Sequence, residues 1–289
     1  MFREIARAKI NLTLHVGAAI KSGRYKGYHP LDSLVVFADI GDDLSYDPSY
    51  ELKGECGLSI DGPFGTGLEC DDGNLILRAA LAFFAKLQEN EHGRKGHFHL
   101  TKNLPLASGI GGGSADAAAA LCLLEQYYQS GMDLYKLAEK IGADVPVCLA
   151  SETMRVQGIG EQLTPMPELD SIPALLVNPG FGVSTKEIFT RFDLNERPIH
   201  PQGQSGDDLL SITQNGRNDL QDVAMSLRPE IGSLIDELSG LDGVILSRMS
   251  GSGATCFTLF ETEPQSRAAA ELIKSSNPDY WCVATLLGK

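Results

Sequence analysis

The chain has 289 residues, 43% hydrophobic and 21% charged, with a formal net charge of −14 at pH 7. That length favours two domains with cores of their own, and the composition is ordinary for a soluble globular protein. The negative balance argues against a broad role on nucleic acid or at a membrane surface, so a polyanionic ligand would need a local positive site.

No apolar run is long enough to span a bilayer, and Met1 to Lys9 lack an apolar core followed by a cleavage site; the expected location is the cytoplasm. The cysteines at 56, 70, 122, 148, 256 and 282 contain no C-x-x-C pair. They read as reduced thiols, mostly buried, and not as a metal or disulfide framework.

Residues 8 to 16 alternate strictly, with Ile10, Leu12, Leu14 and Val16 on one side and Lys9, Asn11, Thr13 and His15 on the other. This predicts a half-buried strand whose second face, on local grounds, is an ordinary solvated one. A loop from Gly17 to Gly27 carries Lys21, Arg24 and Lys26, and Tyr28-His29-Pro30 leads into a second strand from Asp32 to Ile40. Tyr28 and His29 suit stacking on and hydrogen bonding to a flat ring, and equally suit a simple turn. Residues 41 to 72 read as edge strands and exposed loops. A helix is predicted over 74 to 87 with cap candidates from Asp71 to Asn74, then a strand from His97 to Lys102.

Leu104 to Asp116 is the most informative stretch, with glycines at 109, 111, 112 and 113 running straight into an alanine-rich helical pattern that ends near Gln129. Glycines let several amides converge on one anion, and a helix start adds unpaired amides and a positive dipole end. A phosphate is the natural guest. Walker A is excluded because Ser114 and Ala115 follow Gly113 with no lysine, and the dinucleotide fingerprint would need glycine at 114. A flexible connector is the competing reading, and the strand and helix directly at its ends speak against it.

The helix from Asp133 to Ile141 is expected to stop at a left-handed Gly142. In Gly142-Ala-Asp-Val-Pro146, Asp144 is placed either to cap a short helix or to act in chemistry, and the two roles are compatible. A boundary is expected near 150 to 153, giving domains 1–152 and 153–289, with the last strand a candidate to pack back on the first. Beyond it come a strand and turn (155 to 163), a buried strand (173 to 178), and a helix from Lys186 to Phe192 capped by Ser184 or Thr185. A surface loop or mobile flap is expected over 194 to 217. Helices at 218–225 and 229–238 follow, then a strand to Leu246, a small-residue loop (247 to 254), a strand to Phe260, a helix (264 to 274) and a final strand (280 to 286). Ser250-Gly-Ser-Gly253 is a weak phosphate-loop signal by itself.

The order of Ala8-Lys-Ile-Asn11, the Pro105 to Ser114 loop opening a helix, and Met249-Ser-Gly-Ser-Gly-Ala254 resembles the GHMP small-molecule kinase superfamily. Gly27-Tyr-His29, the triple glycine, Gly142 to Pro146 and Gly158-Ile-Gly-Glu161 are similar to its branch that phosphorylates a diphosphocytidyl methylerythritol. The resemblance covers nearly the whole chain. It implies an α+β, two-domain fold with the active site in the interdomain cleft, and ATP-dependent transfer to the 2-hydroxyl of a cytidylyl substrate, with Mg²⁺.

Under this resemblance, Asp144 matches the carboxylate that accepts or orients the hydroxyl proton, and Lys9 the lysine beside it. Pro105, Leu106, Ala107, Ser108, Gly109, Ile110, Gly111, Gly112, Gly113, Ser114 and Ala115 match the ATP phosphate cradle, with Asn74 and Lys102 approaching the nucleotide and Ser114 a candidate metal ligand. Asn11, Tyr28, His29, Ser184 and Thr185 match substrate contacts. Three departures stand out: a longer cationic loop before Gly27, Ala115 where a second serine is common, and Asp116 as a variant of asparagine. A monomer or homodimer is expected, without nucleic-acid or membrane partners. The rival readings are a superfamily kinase for mevalonate, homoserine or a sugar, and a non-catalytic binding module.

Overall fold

Two long strands, β1 (Phe2–Val16) and β2 (Leu31–Asp47), open the chain and pair with each other in the computed structural model, which describes residues 1–50, 56–87, 96–167, 171–193 and 208–288. Both outrun their predicted spans. From Ala8 onward β1 is buried on both faces: Lys9, Asn11, Thr13 and His15 are each at most 5% exposed. The expected solvated face is therefore interior. Alternation revealed the strand but could not reveal that a second layer covers its polar side.

By packing, the chain divides into two compact units, one of residues 1–8, 40–104 and 111–151, the other of residues 9–39, 105–110 and 152–289. A cut near 152 thus describes the end of the first unit, while two earlier segments belong to the second. The physical reason is strand length, since β1 and β2 each continue from one unit into the other.

In the first unit, β3 (Gly57–Asp61) runs parallel to β4 (His97–Thr101), which pairs antiparallel with the far half of β2, Asp43 opposite Thr101. Four helices pack among themselves: α1 (Leu75–Phe84), α2 (Gly112–Tyr128), α3 (Leu134–Ile141) and α4 (Val145–Ala150). Ala115 and Ala117 to Ala120 of α2 are buried, and their small side chains let α1 and α4 approach closely. Gly142, expected to be left-handed, has φ of −175° and is extended, so α3 ends without that cap.

In the second unit, β5 (Met154–Gly158) pairs with the first half of β2 and with β6 (Gln162–Pro165). β7 (Ile172–Asn178) lies between β9 (Cys256–Phe260) and β10 (Trp281–Leu287), and β8 (Val244–Met249) pairs with β9. β8 extends three residues into the expected loop. β10 also meets β2, Leu287 opposite Ala38. The helices are α5 (Thr185–Phe192), α6 (Leu209–Asn215), α7 (Gln221–Leu227), α8 (Pro229–Ser239) and α9 (Glu263–Ser276). The apolar faces of α5, α7, α8 and α9 share one core with β7, β9 and the end of β1, built on Val16, Leu175, Ile188, Leu234 and Cys256.

The expected flap at 194–217 needs correction in its last third. Asp208 caps α6 by accepting from Ser211 N, and Leu209 and Ile212 are buried at helical spacing. Polar neighbours hid this short apolar pair. Residues 194–207 lie outside the described residues.

Arg248 fastens this unit from within. It is 7% exposed and donates to Leu12 O, Thr213 O and Gly216 O at 2.6, 3.0 and 2.7 Å. Replacement by methionine leaves three carbonyls short of a donor, so Arg248→Met should lower the free energy of urea unfolding by about 2–4 kcal/mol.

Candidate active site

The glycine-rich stretch is shaped by backbone angles that side chains resist. Gly109 and Gly111 have φ of 75° and 68°, and Ala107 has 47°. Gly111 is the N-cap of α2, and no side chain caps that helix. The first intrahelical bond after it is Ala115 N to Gly111 O, so the amides of Gly112, Gly113 and Ser114 head a 17-residue helix without a side-chain acceptor. Unpaired amides at a helix start are a geometry able to receive an anion.

Residues 105–110 are held within the second unit. Lys9 N donates to Ile110 O at 2.9 Å, Thr255 N to Ser108 O at 3.1 Å, and Ser250 Oγ to Gly109 O at 3.2 Å. A Cβ on Gly109 would collide with Ser250 O and the Gly253 backbone, and one on Gly251 with Gly109 O. The two Gly/Ser loops therefore meet main chain to main chain. Ser250-Gly-Ser-Gly253, ambiguous as a lone motif, is the support on which the first loop rests.

The buried polar face of β1 supplies a linked set of side chains. Lys9 Nζ donates to Asn11 Oδ1 at 3.1 Å, Asn11 Nδ2 to Ser33 Oγ at 2.8 Å, and Ser33 Oγ to Thr13 O at 2.5 Å. Asn11 N donates to Ser250 Oγ at 3.1 Å. Lys9 and Asn11, read from sequence as a pair on one face, are together, 5% and 4% exposed. Ser33 and Ser250 were missed as their partners. The usable signal was that a lysine and an asparagine inside an apolar strand require acceptors and donors.

Lys102, expected near the nucleotide, is an internal ion. It is 2% exposed, and its Nζ lies 2.5 Å from Asp42 Oδ2 and 2.6 Å from Asp116 Oδ2. Asp42 Oδ1 also accepts from Asn103 N and Leu104 N at 2.6 and 2.8 Å. One charge cluster thus holds both the chain entering the glycine loop and the first turn of α2. Burial opposes the Lys102 charge, but Asp116 and Asp42 outweigh it and hold its pKa above the ordinary lysine value. Burial pushes Asp116 up to about 7 against the opposing pull of Lys102, and its Oδ1 has no partner.

The remaining expected residues divide. Asn74 caps α1, accepting from Ile76 N at 3.0 Å and donating to Glu69 O at 3.1 Å. Asp144 stands at the N-cap position of α4, yet its side chain makes no capping bond, so capping does not account for it. Ser114 is half-buried in the first turn of α2. Ser184 caps α5 through Glu187 N, and Thr185 Oγ1 is 2.8 Å from Ser252 Oγ.

Tyr28 is 53% exposed. His29 is buried against Phe189 and Phe192, with Nδ1 2.8 Å from Gly17 O and Nε2 3.2 Å from Asp193 Oδ1. A cavity of about 410 Å³ opens beside it, lined by Ile20, Lys21, Lys26, Phe192 and Asp193 among others.

The N terminal domain of GHMP kinases matches residues 74–152, and the GHMP kinase C terminal domain matches 208–279. The 4-diphosphocytidyl-2-C-methyl-D-erythritol kinase of Dinoroseobacter shibae is 46% identical over 98% of this chain and 93% of its own length. That of Granulibacter bethesdensis is 45% identical over 96% and 91%. A crystal structure of 4-(cytidine 5'-diphospho)-2C-methyl-D-erythritol kinase, 31% identical, covers both chains completely with a TM-score of 0.79. The chain therefore belongs to the 4-diphosphocytidyl-2-C-methyl-D-erythritol kinases within the GHMP kinases, a family of small-molecule phosphotransferases. A homoserine kinase from Cytophaga hutchinsonii, 15% identical with a TM-score of 0.65, shares the fold.

Two outcomes follow from the Lys102 cluster. Lys102→Met strands two buried carboxylates and should cost about 3–5 kcal/mol of unfolding free energy. Because folded Asp116 holds its proton to higher pH than the unfolded chain, its contribution to stability falls as pH rises from about 4 to about 7 and is flat above that. Urea midpoints measured from pH 5 to 8 should show Asp116→Asn gaining on the wild type as pH rises.

Proposed function

We propose that the protein transfers the γ-phosphoryl group of ATP to the 2-hydroxyl of 4-diphosphocytidyl-2-C-methyl-D-erythritol. The observation that carries this reading is the first turn of α2, where three consecutive amides and the helix dipole face outward from a left-handed Gly111. The acceptor is inferred from the activity of relatives that match nearly end to end, each a 4-diphosphocytidyl-2-C-methyl-D-erythritol kinase.

In this reading the amides of Gly112, Gly113 and Ser114, with the loop from Pro105 to Gly111, cradle the phosphates. Among the described residues no group of three His, Cys, Asp or Glu side chains is placed to hold a metal. Mg²⁺, which keeps several waters and takes most other ligands from phosphate oxygens, would be held on the protein side by the Ser114 hydroxyl. Bound there, the ion offsets charge on the transferring group.

Asp144, at the N-cap position of α4, accepts or orients the proton of the attacking hydroxyl. Lys9, fixed by Asn11, supplies positive charge on the substrate side. Tyr28 offers an exposed ring for stacking on the cytosine, and His29 meets the base by exchanging its Asp193 contact for it. Asn11, Ser184 and Thr185 complete the substrate contacts. The positioning of two bound reactants, with charge stabilisation, supplies most of the rate gain expected for in-line phosphoryl transfer.

Asp144→Ala should lower kcat by about 10²-fold or more while leaving ATP binding, followed by calorimetry, largely intact. Near-normal turnover in that variant rules out the proton-acceptor role. In a panel of alcohols including mevalonate, homoserine and galactose, only the cytidylyl substrate should turn over, with its KM raised at least about tenfold by Tyr28→Ala.

A further inference from the structure

β3 and β4 carry a polar cluster with no part in the proposed phosphoryl transfer. Their parallel register sets Ser59 opposite His99, and His97 shares a strand face with His99. Ser59 Oγ lies 2.9 Å from His99 Nδ1 and 2.9 Å from His97 Nε2, and His99 Nε2 lies 3.1 Å from Asp61 Oδ2. Tyr50 stacks on His97 with ring centroids 4.7 Å apart.

Counting protons gives these contacts one direction. An ionised carboxylate only accepts, so in the His99 tautomer whose Nε2–H faces Asp61, Nδ1 is left to accept the Ser59 hydroxyl at 2.9 Å, nearer than the alternative acceptor Phe98 O at 3.5 Å. With that hydrogen committed, His97 Nε2 must donate to Ser59 Oγ, and its Nδ1 is a bare lone pair. Among the described residues His97 Nδ1 is buried without a partner, and burial holds His97 below the ordinary histidine pKa, as a neutral ring requires. The Asp61 and His99 side chains are 58% and 45% exposed, so that side of the relay meets solvent.

From this relay we infer that Ser59 is an activated nucleophile that takes the acyl group of small activated esters, a site separate from the kinase chemistry and independent of that reading. As Oγ attacks the ester carbonyl, its proton passes to His99 Nδ1 and the resulting imidazolium is held by Asp61. His97 Nε2–H keeps Ser59 oriented. When the tetrahedral adduct collapses, the ester C–O bond breaks and the leaving alcohol takes the proton from His99. Water then attacks the acyl-serine by the same route in reverse, releasing the carboxylic acid and restoring the hydroxyl.

A fluorophosphonate probe tests this directly, because a new Oγ–P bond forms as fluoride leaves. The full-length wild-type protein is incubated with the probe, digested and mapped by mass spectrometry. Ser59 is expected to label at least about tenfold faster than any other serine, and His99→Ala and Asp61→Asn to slow it at least about tenfold. p-Nitrophenyl acetate hydrolysis should fall in the same variants and in Ser59→Ala, while ATP-dependent kinase turnover, as a check of folding, stays unchanged. Labelling of Ser59 no faster than other serines, or undiminished in His99→Ala, overturns the proposal, and wild-type mapping alone decides the first of these.

Discussion

A single buried ammonium shared by two carboxylates is the constraint on which the glycine-rich backbone before α2 depends. Lys102 sits between Asp42 on β2 and Asp116 on α2, and Asp42 also receives the two amides that lead into the glycine loop. Charge-assisted bonds of this length in a dry interior are strong and directional, and they fail badly if one partner is lost. The helix start is thereby held in register with the chain that precedes it. Glycines can take the required angles, but they carry no force of their own to choose among them.

The second unit solves a matching problem with main-chain contact. Gly109 and Gly251 approach so closely that neither tolerates a Cβ, and the Ser250 hydroxyl bridges Asn11 N and Gly109 O. Asn218 Nδ2 adds bonds to Met249 O and Gly251 O at 2.8 Å each. Lys9 and Asn11 are thus presented from a strand buried on both sides, where their geometry is set by neighbours and not by solvent. A polar network of this kind is costly unless complete, which is why its members extend to Ser33 and Thr13.

Much of this was legible in the amino-acid order, because the strongest local signals agree with the packing. The alternation of β1, the glycine run before alanines in α2, and the Ser184 cap of α5 each express a backbone preference that tertiary structure keeps. What was not legible depends on partners distant in sequence. The solvated face assigned to Lys9, Asn11, Thr13 and His15 is covered, and only a second layer could reveal that. The carboxylates that bury Lys102 lie sixty and fourteen residues away, and no local pattern points to them. Gly142 suited a left-handed stop by residue type, yet the chain leaves α3 extended toward Val145. The short helix α6 was masked by polar neighbours that set the character of its window.

The threading of β1 and β2 through both compact units bears on how the polypeptide reaches its native state. Neither unit is one uninterrupted stretch, since residues 9–39 pack with a body otherwise drawn mostly from 152–289, and Ala38 meets Leu287 near the far end of the chain. Severing the chain after Ser151 would leave the second product without residues 9–39 and 105–110, which its unit requires. During synthesis residues 9–39 must wait for β10 before their sheet is finished, which favours slow, late consolidation over piecemeal maturation and lengthens the interval in which β2 has an unpaired edge.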